Sequence, residues 1–109
     1  MLLLTGGTGQ VGAQIIERVI RKKINTVAIY RGHKPPPAAK ADPSCVKWVR
    51  CDLNDAQALM QLGQRHGITS CIHAAAVSNE AYARPNPTAT VETNISSTTT
   101  LLGTARIQN

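Results

Sequence analysis

The sequence predicts an α/β fold with a doubly wound parallel sheet, and three observations support this class. Short apolar runs alternate with segments of helical periodicity along the whole chain. A glycine-rich turn lies between the first apolar run and the first helical segment. We expect a sheet of four strands with right-handed crossovers in the order 3-2-1-4, with the topological switch between the first and fourth strands. The 109 residues have room for one domain, which we assign to residues 1–109.

The first half of the chain predicts a βαβ unit followed by a loop. Met1–Leu4 is an apolar run typical of a buried strand, and Thr26–Tyr30 is a second run, rich in β-branched residues. The segment between them predicts a helix whose apolar residues share one face: Val11, Ile15, Ile16, Val19 and Ile20. Residues 32–44 contain a run of three prolines and a further proline at position 43, which predicts an extended surface loop.

The third strand and the second helix follow that loop. Val46–Cys51 is the next strand-like run. Asn54 is a good N-cap for a helix from Asp55 to about His66, with Gln57 placed as the reciprocal capping partner. Gly67 is the predicted stop, because glycine readily adopts the left-handed conformation that ends helices.

The last two elements are a strand and a helix. Ile68–Ala76 is a fourth apolar strand that runs into small residues. The pair Asn86-Pro87 predicts a helix start, with asparagine as N-cap and proline at the first helical position. This helix should end at Asn109. We predict that four residues form its inner face: Val91, Ile95, Leu102 and Ala105.

The charge and the cysteines limit the function classes. Twelve basic and six acidic residues give a net charge of +6, yet the aromatic residues number only three, so no base-stacking platform is evident. A solvated basic face is therefore favoured over a nucleic-acid surface. The cysteines at 45, 51 and 71 show no metal-ligand spacing and lie in apolar runs, which predicts buried free thiols and no metal site. Without a secretory signal or a membrane span, we expect a cytoplasmic protein.

The turn Thr5-Gly6-Gly7-Thr8-Gly9-Gln10-Val11-Gly12 is the strongest functional signal. Gly6 permits a tight turn, Gly9 lets the backbone approach a phosphate, and Gly12 lets the helix pack close to the strand. The backbone at Gln10 and Val11 opens the helix, whose free N–H groups and positive dipole end attract an anion. The pattern predicts a dinucleotide pyrophosphate site. The alternative is a glycine-rich turn without a ligand.

Four segments in order resemble the motifs of the extended short-chain dehydrogenase/reductase family, in its NAD(P)-dependent epimerase/dehydratase group. The glycine turn resembles TGxxGxxG, and three further segments resemble the family's later motifs: Cys51-Asp52-Leu53, Ile72-His73-Ala74-Ala75-Ala76 and Val91-Glu92-Thr93-Asn94-Ile95. The resemblance covers the whole chain but only the amino-terminal part of the family's Rossmann-like fold. It implies hydride transfer on a hydroxyl or carbonyl substrate similar to a nucleotide sugar, and a homodimeric full-length protein.

The resemblance also assigns roles to residues at the carboxyl ends of the strands. Asp52 and Leu53 would contact the adenine, and the Ala74–Ser78 loop, with Ala74, Ala75, Ala76 and Ser78, would lie beside the nicotinamide ribose. Asn94 would hold an active-site carbonyl or water. Each assignment has an alternative. Asp52 would only cap the next turn, the alanines at 74–76 would only allow tight core packing, and Asn94 would only be tolerated in the helix. His73 fits a hydrogen-bonded core histidine better than a catalyst.

The end of the second strand bears on the choice of cofactor. Enzymes that use NAD place an acidic residue there for the ribose 2′-hydroxyl, whereas NADP enzymes bring in arginine for the 2′-phosphate. Tyr30 occupies the acidic position and Arg31 follows it, with His33 and Lys34 close behind. NADP is therefore favoured over NAD. The alternative for Arg31 is a solvated charge at the mouth of the loop.

No catalytic residue is expected within this chain, apart from a supporting role for Asn94. The family's tyrosine and its lysine four residues later lie on a fifth helix, beyond these 109 residues. Tyr30 and Lys34 match that spacing but lie at a strand end. We expect part of a longer enzyme, truncated before the fifth strand and inactive alone. A non-catalytic NADP sensor or scaffold is the first alternative, and a basic nucleic-acid-binding module is a less favoured second one.

Overall fold

The chain folds around a parallel sheet of four strands in the order β3-β2-β1-β4, as the sequence predicts. The computed structural model describes residues 1–33, 35–37 and 44–108. The strands are β1 (Leu2–Thr5), β2 (Thr26–Tyr30), β3 (Val46–Arg50) and β4 (Ser70–His73). All three neighbouring pairs are parallel. The predicted fourth strand, 68–76, was too long, because the chain leaves the sheet after His73. The proline loop predicted over 32–44 lies mostly outside the described residues.

One face of the sheet is covered by α1 (Gln10–Arg21). Ile16 and Val19 pack with Leu4, Ala28 and Val46 in an apolar layer. The predicted apolar face of this helix was too wide. Two of its members are exposed, because they lie to either side of the strip that touches the sheet: Val11 and Ile20.

The opposite face is covered by α2 (Ala56–His66) and by the last helix of the chain. Leu59 and Leu62 pack with Leu3 and Val27 in the second apolar layer. As predicted, α2 ends at Gly67, which adopts the left-handed conformation with φ 59°.

The predicted N-cap of α2 was off by one residue. The cap is Asp55, whose carboxylate accepts a hydrogen bond from the Ala58 amide at 2.9 Å. Asn54 instead donates its own amide to Asp52 Oδ1, also at 2.9 Å. That local turn holds Asn54 outside the helix, so the helix begins one residue later than the asparagine signal predicts.

The carboxyl-terminal third is helical. A short α3 (Glu80–Ala83), which sequence reasoning missed, begins at the N-cap Asn79. Asn86-Pro87 starts α4 (Pro87–Val91) as predicted, and the helix continues through a π-helical turn (Glu92–Ser96) into α5 (Ser97–Gln108). Asn109 lies outside the described residues.

The predicted inner face of the last helix was wrong. Its four members, Val91, Ile95, Leu102 and Ala105, are all exposed. The buried residues of α5 are Ser97, Leu101 and Thr104. Both hydroxyl groups donate to the carbonyl four residues earlier, in Thr93 and Thr100 respectively. Because those hydrogen bonds satisfy the hydroxyls within the helix, small polar residues can face the sheet in place of the apolar ones.

The cysteine prediction holds in part. Cys51 is buried and Cys45 is half-buried, but Cys71 is exposed, because it lies on β4 at the edge of the described sheet. Within the described residues, no cluster of histidine, cysteine and acidic side chains could hold a metal ion. None of the described helices has the length and apolarity needed to cross a membrane.

Candidate functional site

A cleft of about 290 Å³ opens at the carboxyl ends of the strands. It lies where the strand order reverses, between β1 and β4, which is the position at which open parallel sheets bind ligands. Its walls come from the glycine turn, the ends of β2 and β3, and the segment after β4. Segments far apart in the sequence therefore meet in a single crevice.

Gly6 joins the two principal walls. Its φ of +71° is in the left-handed region, and a Cβ added there would lie 2.5 Å from the carbonyl carbon of Ala74 and from the amide nitrogen of Ala75. Only glycine lets the two backbones approach this closely. The contact brings the glycine turn against the segment that follows β4, as the sequence predicts for the topological switch.

The other two predicted glycines have different surroundings. A Cβ on Gly12 would lie 1.9 Å from the Gly6 carbonyl oxygen, so Gly12 is required for packing of α1 against the turn. A Cβ on Gly9 would meet one atom, the same oxygen, at 3.4 Å, and Gly9 has an ordinary extended backbone with φ −80°. The fold itself makes no steric demand for glycine at position 9. Free space there fits a group outside the protein.

The amino terminus of α1 suits an anion. Gly9 is the N-cap and makes no side-chain capping bond, and the first turn contains no acidic residue. The first hydrogen bond of the helix runs from the backbone amide of Ala13 to the carbonyl of the N-cap residue Gly9, at 2.9 Å. The backbone amides before Ala13 therefore have no partner within the helix and point out of its amino terminus. The positive end of the helix dipole lies at the same place, and this arrangement binds phosphate in many proteins.

The ends of β2 and β3 form the opposite part of the cleft. Tyr30, Arg31, Asp52 and Leu53 all line it. One carboxylate oxygen of Asp52 accepts a hydrogen bond from the Asn54 amide. For that oxygen, the alternative interpretation of an aspartate that caps the next turn is correct. The side chain of Leu53 is half-buried and packs against the core layer beneath α2.

Cys51 also lines the cleft, but it is not a nucleophile at neutral pH. Burial, followed by the nearby carboxylates of Asp55 and Asp52, raises the pKa of the Cys51 thiol to about 11. The thiol therefore stays protonated and behaves as a small apolar group.

Asn94 holds the segment after β4 in place. Its Oδ1 accepts the Val77 amide at 2.7 Å, and its Nδ2 donates to the Val77 carbonyl at 2.8 Å. The side chain lies in the π-helical turn, and both of its polar ends are used by one residue. This pair of hydrogen bonds shows that Asn94 fixes the backbone after β4 and is more than a tolerated helix asparagine, whereas its role toward an active-site carbonyl or water stays a prediction.

The predicted residues divide into two groups. Those that line the cleft are Gly6, Gly9, Tyr30, Arg31, Asp52, Leu53, Ala74, Ala75 and Ala76. Those that lie beside it without lining it are Gln10, Val11, Gly12, Ser78 and Asn94. The remaining lining residues had no individual role assigned from the sequence, although most lie in the predicted motifs: Thr5, Thr8, Ile29, Cys51, Asn54, Val77, Thr93 and Ser97. Thr5 and Thr8 flank the glycines, so proximity to the motif was a usable signal, whereas Thr93 and Ser97 depend on how the last helix turns.

The family model described as the NAD-dependent epimerase/dehydratase family matches residues 2–109. The chain belongs to that family. It is 29% identical to "dTDP-glucose 4,6-dehydratase 1" of Escherichia coli K12, over 96% of this chain and 30% of the relative. This family member therefore spans about a third of the length of the curated relatives it matches.

Solved structures of the same fold agree. UDP-glucose 4-epimerase of Thermotoga maritima, determined with UDP-glucose, matches with a TM-score of 0.85 at 18% identity, over 99% of this chain and 34% of that one. UDP-glucose 4-epimerase of Thermus thermophilus, determined in complex with NAD, matches with a TM-score of 0.83 at 22% identity, over 98% and 34%. These likenesses confirm the Rossmann-like fold that the sequence motifs predict.

Proposed function

We propose that this chain is the cofactor-binding part of an NAD(P)-dependent epimerase, dehydratase or reductase, with residues 1–109 forming the amino-terminal part of its Rossmann domain. The main support for the proposal is the close contact between Gly6 and the backbone of Ala74 and Ala75. This contact brings the glycine turn and the segment after β4, which are two family motifs, together in one cleft. The activity belongs to the whole protein, because the chain spans about a third of its relatives. By itself we expect it to be inactive.

The residues of the cleft fit the parts of a dinucleotide. The open space at Gly9 and the amides that begin α1 suit the pyrophosphate. Asp52 retains one carboxylate oxygen for the adenine amino group, beside the apolar wall of Leu53. The small side chains of Ala74–Ala76 suit the nicotinamide ribose. When bound, the nicotinamide would supply the site from which a hydride is given or accepted.

A substrate similar to a nucleotide sugar is our proposal for the reaction. The named relatives act on dTDP-glucose or UDP-glucose, and one was determined with UDP-glucose. The hydride would pass between the nicotinamide and a sugar hydroxyl or the matching carbonyl. Tyr30 is not the tyrosine acid/base of this reaction, because it ends strand β2 and does not lie on a helix.

We propose that NADP is preferred over NAD. Tyr30 ends β2 where an acidic residue would repel a 2′-phosphate, and Arg31, which lines the cleft, is a charged donor for that phosphate. NAD is the cofactor in the Thermus relative, so the preference depends on these two residues rather than on the family.

Titration of the full-length protein with NADP⁺ and NAD⁺ tests the proposed cofactor site and the proposed preference for NADP. Arg31→Ala should weaken NADP⁺ binding by about 1.5 to 3 kcal/mol, roughly 10- to 100-fold, and should leave NAD⁺ binding unchanged. Arg21→Ala is the matched control, because Arg21 is exposed at the far end of α1 and pairs with Glu17. Tighter binding of NAD⁺, or equal affinities, would refute the NADP preference. Binding of neither dinucleotide would refute the cofactor site.

We also propose a homodimer for the full-length protein, in the cytoplasm. Val91, Ile95 and Leu102 are 49%, 61% and 67% exposed along the outer side of the last helix. Apolar side chains exposed in a row on a helix are a frequent feature of subunit interfaces. Sedimentation of the full-length protein tests this proposal. A wild-type dimer that dissociates more readily when Ile95 is replaced by lysine (Ile95→Lys) would support it. A monomeric wild-type protein would refute it.

A further inference from the structure

A chain of hydrogen bonds crosses beneath the floor of the cleft and is centred on His73. The hydroxyl of Thr5, the last residue of β1, lies 2.6 Å from His73 Nδ1. The other ring nitrogen, Nε2, lies 2.9 Å from the hydroxyl of Thr98 in α5. Thr5 Oγ1 also accepts the amide of Ala75 at 3.2 Å. The imidazole therefore links the glycine side of the cleft, through two bonds, to the last helix.

The directions of these bonds define one form of the imidazole. The Thr98 hydroxyl donates its hydrogen to the Asn94 carbonyl at 2.9 Å, so its oxygen is an acceptor for His73 Nε2–H. His73 Nδ1 then carries no hydrogen and accepts the hydroxyl hydrogen of Thr5. Thr5 Oγ1 in turn accepts the Ala75 amide. Every hydrogen has an acceptor in the neutral Nε2–H tautomer.

A protonated His73 breaks this arrangement. With hydrogens on both ring nitrogens, Nδ1 becomes a donor to Thr5 Oγ1, which must then accept from both the imidazole and the Ala75 amide, and the Thr5 hydroxyl hydrogen loses its acceptor. The segment that begins at Ala74 is held by the bond from the Ala75 amide to Thr5 Oγ1, by the bond from the Ala74 amide to the Thr5 carbonyl at 3.2 Å, and by the Asn94 bonds to Val77. A Thr5 oxygen that is shared with the imidazole N–H holds the Ala75 amide less tightly, so protonation loosens the wall of the cleft on the β4 side.

The surroundings of His73 contain few ionisable groups. In the elements packed against it they are Cys71 on β4, Glu92 in the π-helical turn and Arg106 in α5, and all three are exposed to solvent. Burial lowers the pKa of His73 below its ordinary value of 6.5. The sign follows from the linkage relation: a group with a lowered folded-state pKa stabilises the fold above its unfolded pKa, and this stabilisation is lost as the pH falls through the folded value.

We propose that His73, as the neutral Nε2–H tautomer, is a positioning residue that fixes the segment after β4 against the glycine turn, so that dinucleotide binding weakens when it is protonated. This inference rests on the proposed cofactor site and adds a specific residue and a pH dependence to it. Thr5 connects the ring to the Ala75 amide, and Thr98 acts only through the ring.

Titration of the full-length protein with NAD⁺ between pH 7.5 and pH 5.0 tests the pH dependence. NAD⁺ is the appropriate probe, because it lacks the 2′-phosphate, which titrates in this range. The wild-type dissociation constant should rise as the pH falls through the lowered pKa of His73, by up to about tenfold, the cost of one hydroxyl hydrogen left without an acceptor. His73→Asn retains an acceptor near Nδ1 but cannot titrate, so its affinity should be lower at pH 7.5 and flat with pH. His73→Ala should bind at least about tenfold more weakly than His73→Asn.

Thr98→Val tests the second bond without changing the shape of the side chain. It removes the acceptor of Nε2–H and should weaken NAD⁺ binding about tenfold at pH 7.5. Thr99→Val is the matched control: Thr99 lies on the same helix, makes the same bond to the carbonyl four residues earlier, and is exposed. It should leave the affinity unchanged. Imidazole ¹⁵N chemical shifts should show the Nε2–H tautomer of His73 at pH 7.5.

The outcomes separate the two proposals. Equal pH profiles for wild type and His73→Asn, or an Nδ1–H tautomer at pH 7.5, would overturn the inference alone. If the wild-type protein binds neither NAD⁺ nor NADP⁺, the proposed function fails, and the positioning role fails with it.

Discussion

Replacing Gly9 by valine should abolish dinucleotide binding and leave the fold nearly intact. The backbone at Gly9 has φ −80° and ψ 175°, which valine adopts without strain. Its Cβ would meet only the Gly6 carbonyl oxygen, at 3.4 Å. The cost to stability is therefore that of a poor N-cap, about 1 kcal/mol. The branched side chain would instead fill the space before the α1 amides. The loss of two charge-assisted hydrogen bonds there would cost about 3 to 6 kcal/mol of binding, roughly 10²- to 10⁴-fold, which takes the affinity out of the range of the titration.

Gly12→Val provides the opposite control. Its Cβ would lie 1.9 Å from the Gly6 carbonyl oxygen and 2.6 Å from the carbonyl carbon, both backbone atoms, so we expect destabilisation of about 3 kcal/mol. Circular dichroism with urea unfolding should be measured beside calorimetric titration for both variants. A folded Gly9→Val protein with wild-type affinity for NADP⁺ would show that the glycine turn has no ligand.

Three further predictions concern residues at or near the cleft. Tyr30→Phe should leave the turnover number of the full-length enzyme nearly unchanged at saturating cofactor, because Tyr30 ends a strand; a hundredfold loss would mean that the catalytic tyrosine is misplaced. Cys51, with its pKa raised to about 11, should resist iodoacetamide at pH 7.5 in the folded protein and react after unfolding; rapid alkylation of the native thiol, measured by mass spectrometry, would contradict its burial. The 109-residue chain alone should show no dehydrogenase, epimerase or dehydratase turnover, and any turnover in a coupled assay would refute its need for residues outside it.

The sheet and the glycine turn were predictable because their causes are local and strong. Alternating strands and helices after a glycine turn are typical of a doubly wound sheet, whose right-handed crossovers and single reversal give the strand order 3-2-1-4. Gly6 and Gly12 are required by contacts with their own turn and with the strand end, which the motif encodes. Gly67 ended α2 as predicted, because it alone supplies a left-handed residue there.

The errors arose where side chains compete with the expected pattern. Asp52 captures the Asn54 amide, and that bond moves the start of α2 to Asp55. In the last helix, hydroxyls that bond to their own backbone take the inner positions, so apolar periodicity selects the wrong face. The pair of bonds from Asn94 to Val77 joins residues 17 positions apart, and such a contact has no signal in either local sequence.

The π-helical turn makes the last helix sensitive to its length. A π turn contains one residue more than an α turn, and each α-helical residue turns the chain by about 100°. Asn94 bonds to Val77 before the end of that turn, whereas Leu101 enters the core after it. An in-frame deletion of the Ser96 codon would remove the extra residue and convert the π turn into an α turn, with both anchors still in register. Deletion of the Ile95 and Ser96 codons together would turn Leu101 by about 100° relative to Asn94, so one of the two anchors would be lost. A gene variant shortened by two residues here would therefore damage the cleft without altering any residue that lines it.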